Sequence, residues 1–245
     1  MAQPRTKSDF IGDRFLDLIE RGEQIPEFEL RRLELEVRKL PNEYEKSLDM
    51  AYLYAIWGRY PEARDWLKAA GGFGLSTALR YAGAAQASLN FHETRKALRW
   101  ALDQGLVTTE EDRHFAFVLA AFSCALEICT EIKDMLTNTD RISHMDGTIG
   151  AMLRISDMGL KDEDVQEYVM RALCAADPWL RDKRRAMVIG HAAYPEMLDK
   201  VIIQVSVPAD PDEFGDILWA MSDIDRTGIP QEVSQAVIIS PVPAE

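Results

Sequence analysis

Apolar positions recur at helical spacing through the first three quarters of the chain, and small and aromatic residues alternate among them between Leu48 and Ala70. Ala51, Tyr54, Gly58, Tyr60, Ala63, Leu67 and Ala70 predict two short antiparallel helices folded on each other, with the turn at Gly58. Placing Tyr60 over Phe91 gives a second pair at an offset of 31 residues: Ala82 falls on Ala51, Ala85 on Tyr54, Leu98 on Leu67, and Leu89 on Gly58. Gly71, Gly72 and Gly74 break the two units, Gly105 ends the second, and Asn90 with Glu93 predicts a capping box.

Two further helices precede the pairs. Phe10, Ile11, Phe15, Leu16, Leu18 and Ile19 have helical spacing up to Gly22, and Leu30, Leu33, Leu35, Val37 and Leu40 follow Pro26 and stop at Pro41. Beyond Gly105, Thr108 with Glu111 predicts another capping box. The stretch from Arg113 to Met135 has no Gly or Pro, so it reads as one central, buried helix carrying Phe115, Phe117, Val118, Leu119, Phe122, Leu126 and Ile128. A further helix pair is predicted at about 146–157 and 162–176.

Near residue 185 the period changes. Val201–Val207 is β-branched and reads as a strand; Asp210 followed by Pro211, Asp212 and Glu213 starts a helix carrying Phe214, Ile217, Leu218 and Met221; Ala236–Ile239 reads as a second strand, with a third at Met187–Ile189. Two or three strands and one helix cannot bury both faces of a sheet, so this unit must pack on the helices or complete its sheet with another chain. The expected organisation is mainly α: a helical body over residues 10–182 and a small α/β extension, strand-helix-strand, over 183–245.

The pattern over 43–104 resembles a tetratricopeptide repeat, and more weakly so to about 180. A second resemblance, over residues 10–137, is to the repeat-containing chaperones of type III secretion systems, which also open with helices before about three repeats but lack a long C-terminal α/β extension. The resemblance implies a solenoid of antiparallel helix pairs whose first helices line a concave, partner-holding surface. Carried onto this chain, that surface takes Leu48, Tyr52 and Ile56 from the first pair and Leu79, Gly83 and Gln86 from the second. The function so implied is a non-enzymatic, chaperone-like scaffold for protein–protein interaction.

Charge narrows the choice of partner. A formal charge of −13 repels nucleic acid and anionic membrane, so the expected partner is a basic or apolar protein or peptide, with homo-oligomer formation through the C-terminal unit as a further expectation. The same acidity leaves open an inhibitor that imitates phosphates. An odd set of three cysteines in a long chain, together with no long apolar run, reads as cytoplasmic.

Little in the chain suggests chemistry, and no cofactor or metal is expected. His92, His114, His144 and His191 are scattered without a ligand pair at helical spacing. His191, in a strand-to-loop setting near Tyr194, and the acids near Asp223 are where an enzyme site in the C-terminal unit would lie. Asp223, Asp225 and Gly228 imitate the start of a calcium loop, but its twelfth position is Ser234 and Pro230 interrupts it. Asp157, Asp162, Glu163, Asp164 and Glu167 read as helix-start and surface acids, and Arg181, Lys183, Arg184 and Arg185 as a solvated basic face.

Overall fold

A computed structural model describes residues 11, 12, 14, 15, 25–75, 77–138, 146–180, 188–192, 199–207 and 209–243. Among these, the helices are α1 (Glu27–Val37), α2 (Glu43–Ile56), α3 (Tyr60–Ala69), α4 (Ala78–Ala87), α5 (Phe91–Asp103), α6 (Glu110–Phe122), α7 (Leu126–Met135), α8 (Asp146–Asp157), α9 (Asp162–Ala175), α10 (Asp177–Leu180), α11 (Pro211–Ser222) and α12 (Gln231–Ala236). The strands are β1 (Val188–Ala192), β2 (Val201–Val207) and β3 (Val237–Pro243). The fold is mainly α, with neighbouring helices packed in pairs and a small three-stranded sheet towards the C-terminus.

Each pair closes through the same backbone turn. The second residue after the first helix takes a left-handed conformation: Gly58 at φ 76°, Leu89 at 50°, Cys124 at 55° and Gly159 at 67°. The next amide then reaches back to the helix, from Arg59 to the Tyr54 carbonyl (2.8 Å), Asn90 to Ala85 (2.8 Å), Ala125 to Ala120 (2.8 Å) and Leu160 to Ile155 (3.2 Å). These bonds satisfy carbonyls that a helix end leaves orphaned. The turn recurs at intervals of roughly 31 to 35 residues.

Two expectations are corrected here. Residues 113–135 form not one helix but two, α6 and α7, split at Ser123–Ala125. A glycine normally marks such a turn; here burial of Cys124 compensates for its unfavourable φ. The capping boxes also differ. Thr109 and Asp112, not Thr108 and Glu111, cap α6 reciprocally. Asn90 makes no side-chain cap, and the Glu93 carboxylate instead accepts from the Tyr81 hydroxyl at 3.1 Å.

Small residues let the pairs approach closely. Ala51, Ala63, Ala82, Ala84, Ala85, Ala97, Ala101, Ala116, Ala120 and Ala121 are all fully buried. The first helices α2, α4 and α6 pack in succession, while α8 packs on α7, β1 and β2, and α9 packs on α5, α11 and α12. One apolar cluster runs from Leu48 to Ile239, and a second, smaller one joins Ile11, Phe15 and α1 to Met50, Leu53, Tyr54 and Ala63.

The sheet has the order β1-β2-β3, with β1 antiparallel and β3 parallel to β2. Val201, Ile203, Val205 and Val207 alternate inward with Val237 and Ile239 onto the cluster that also holds Ala151, Ile155, Val169, Ile217 and Met221. The inward face of the sheet is therefore covered by helices of its own chain. Residues 231–236, the run-up to β3, are helical, so β3 begins one residue later than the apolar run suggests and continues through Pro241 to Pro243. A proline fits a strand only where its nitrogen faces away from the ladder, so both prolines turn donorless nitrogens to the outer edge of β3.

Candidate binding face

Three successive first helices contribute to one face. The Tyr52 hydroxyl from α2 lies over Gly83 of α4, where a Cβ would stand 2.1 Å from that oxygen and 3.5 Å from the Phe115 ring of α6. A Cβ there would push the tyrosine tip aside, and burial holds the Tyr52 phenol above its ordinary pKa. Beside it, Arg80 of α4 reaches the almost fully buried Asp49 of α2 at 3.3 Å, tying the same two helices by charge.

Of the residues the resemblance assigns to a partner surface, Leu48 is fully buried in the core and Gly83 lies beneath Tyr52. Tyr52, Ile56, Leu79 and Gln86 are half-buried. Tyr52 and Ile56 pack against the smaller apolar cluster, and the Phe15 ring stacks on Tyr52 with centroids 6.4 Å apart and planes 26° apart. Leu79 instead borders an open cleft of about 390 Å³ with Leu75, Ala78, Arg80, Leu106, Asp112 and Phe115. Leu75 is 63% exposed and Phe115 42%. Leu75, Leu106 and Phe115 are absent from the set the resemblance supplies. An isolated glycine inside a helix, Gly83, is the signal that marks the close approach.

The histidine singled out in the sequence lies in β1 and is buried. His191 Nε2 is 3.8 Å from Cys124 Sγ, and its Nδ1 is 3.2 Å from Thr148 Oγ1 of α8. Burial lowers its pKa to about 4, leaving a neutral ring, and pushes the Cys124 thiol far up. A protonated, enclosed thiol beside a neutral imidazole is a poor nucleophile. The cluster joins the turn of the third pair to α8 and the sheet. Gln166 of α9 adds to that junction by donating to the Ser123 carbonyl at 2.7 Å and, more weakly, to that of Phe91 at 3.5 Å. Its own carbonyl oxygen has no partner among the described residues.

A second concavity of about 430 Å³ holds Glu127, Glu131, Asp162 and Glu163. Arg95 pairs with Glu127 and Glu163, and Arg99 with Glu127 and Glu131. Asp162 is buried and accepts the Glu127 amide at 2.9 Å, so it caps α7 across space as well as opening α9. Desolvation pushes its carboxyl up to about 7, against the opposing pull of that amide and Arg95. At Asp225–Thr227 the turn is closed by the Thr227 amide on the Asp225 carboxylate (2.8 Å), and Arg171 occupies both the Asp225 and Thr227 carbonyls. Among the described residues no three His, Cys, Asp or Glu side chains gather as metal ligands. None of the described helices is long and apolar enough to cross a membrane. Tyr194 and the basic run 181–185 lie outside the described residues.

Comparison with protein-family models, with curated proteins and with solved structures finds no match for this chain.

Proposed function

We propose that this chain is a non-enzymatic protein-binding scaffold, a tetratricopeptide-like solenoid that holds a basic or apolar segment of a partner on the face lined by α2, α4 and α6. The cleft beside Leu79 carries the reading, because it leaves Leu75 and Phe115 open to solvent side by side on a built concave surface. Contiguous exposed apolar side chains rimmed by polar ones mark interaction sites. The recurring left-handed turn at residues 58, 89, 124 and 159 supports the repeat architecture.

Affinity capture from the native cell with wild type, Phe115→Glu and Phe28→Glu tests it. Phe28 is 73% exposed on α1, away from the cleft, and serves as the control. A partner lost with Phe115→Glu and retained with Phe28→Glu is expected, and it should dissociate more readily as salt is raised from about 0.05 to 0.5 M. Identical partner sets for all three proteins would overturn the reading.

A further inference from the structure

We propose that the segment at Ile11–Phe15 is a built-in competitor for the first-pair part of this face, and that the partner fitting there is an amphipathic helix with the same three features. Those features are an aliphatic and an aromatic residue four positions apart, with a cation between them. The inference rests on the reading of the α2–α4–α6 face as a binding surface.

Residues 11, 12, 14 and 15 have helical backbone, so Ile11 and Phe15 share a side, one turn apart. Both are only 3% exposed. They lie in the cluster against which Tyr52 and Ile56 pack, and Phe15 stacks on Tyr52 directly. Two of the positions expected to hold a partner are thus engaged by the protein's own chain.

Attachment is local and one-sided. Arg14 donates to Glu36 of α1 at 2.7 Å, with both side chains about one-third exposed, and the Cβ position of Gly12 meets nothing within 4 Å. Two apolar anchors and a partly exposed ion pair can be matched by an incoming helix of like chemistry. Farther along the same face no such segment covers Phe115 among the described residues, and its side chain is 42% exposed. A partner could therefore engage the cleft first and then displace the competitor from Tyr52.

The probe is a fluorescein-labelled synthetic peptide copying residues 5–22, added to full-length protein and followed by anisotropy. A tethered occupant acts at millimolar effective concentration, and a site free only part of the time binds in proportion to that fraction. The double variant Ile11→Ser with Phe15→Ser should therefore bind the peptide about tenfold or more tightly than wild type. Adding Tyr52→Ala, or placing Phe15→Ser in the peptide, should abolish the gain. Equal affinity for wild type and double variant, or no binding to a variant that keeps the wild-type circular dichroism and melting transition, overturns the proposal. If the double variant does not fold, Arg14→Glu replaces it: a gain of severalfold supports the proposal and unchanged affinity overturns it. Failure of the peptide experiment leaves the scaffold reading to the Phe115→Glu capture, which does not depend on residues 11–15.

Discussion

The turns of the first and third helix pairs trace nearly the same path with different means. At the first, Gly58 adopts its left-handed φ at no steric cost; at the third, Cys124 does so against its Cβ and is sealed beneath β1 by His191. The first turn is specified locally, by the residue itself. The third is specified by what packs over it. Buried polar groups accompany both regions: Glu34, Ser47 and Asp49 lie around the first pair, and Ser123, Thr148, Asp162, Gln166 and His191 lie where the helix pairs meet the sheet. At the first pair the buried acids tie helix to helix, Asp49 through Arg80 and Glu34 through Tyr54, whereas at the third the buried polar groups tie helices to the sheet.

The largest effect should come from closing the space at that junction. A Cβ on Gly147 would stand 2.1 Å from the His191 backbone carbonyl, which cannot rotate away, so Gly147→Ala should cost about 3 kcal/mol. Gly83→Ala meets an equally close atom, but it is the tip of Tyr52, and a loss of about 1 kcal/mol is expected. Urea unfolding of both variants checks the ranking; equal losses would mean that the junction is no more rigid than the packed helices α2 and α4.

Next comes the pH response of the junction. His191 is held neutral with a pKa near 4, so its contribution is present above the ordinary histidine range and is lost as pH falls toward 4. Asp162, raised to about 7, contributes most below the ordinary carboxylate range and loses that contribution as pH rises through 7. Between about pH 4 and 6.5 the two slopes oppose, each roughly 1.4 kcal/mol per pH unit at most. Asp162→Asn should therefore lose stability on acidification across that window, and His191→Gln should lose it as pH rises. Denaturation midpoints at half-unit steps would expose the two slopes, and parallel profiles in the two variants would refute the opposition.

The smallest effects come from exchanging the means of turning. Gly58→Ala should cost about 1 kcal/mol, the penalty of a Cβ in the left-handed region. Cys124→Gly removes that penalty together with a buried thiol, and the net change should stay within about 1 kcal/mol. Melting curves of the pair would sharpen the contrast, and a large loss in Cys124→Gly would mean that the thiol, not the backbone, holds the turn.

The difference between the turns also explains what was legible in the sequence. The first two pairs could be read because Gly58 announces its turn and Leu89 falls in register with it. The third pair hid inside one apolar run because no residue type marks Cys124 as a turn, and only the surrounding tertiary structure makes it one. The β-branched run Val201–Val207 and the Asp210–Pro211 start made β2 and α11 plain. Asp162 looked like an ordinary helix-start acid, and nothing in its neighbours indicates that it also caps α7. On the candidate face, Tyr52 and Leu79 came from the family resemblance. The convergence of Leu75, Leu106 and Phe115 depends on how α4 and α6 pack, which spacing within one helix does not encode.

Pro241 and Pro243 bear on how the protein behaves when concentrated. A sheet rim with a full row of amide donors is a template on which another extended chain can register, and growth by that route underlies fibrous aggregation. The outer rim of β3 has lost two alternate donors, so a strand arriving there would find gaps where its carbonyls need partners. In a crowded cell, copies of this protein should resist zipping together along β3.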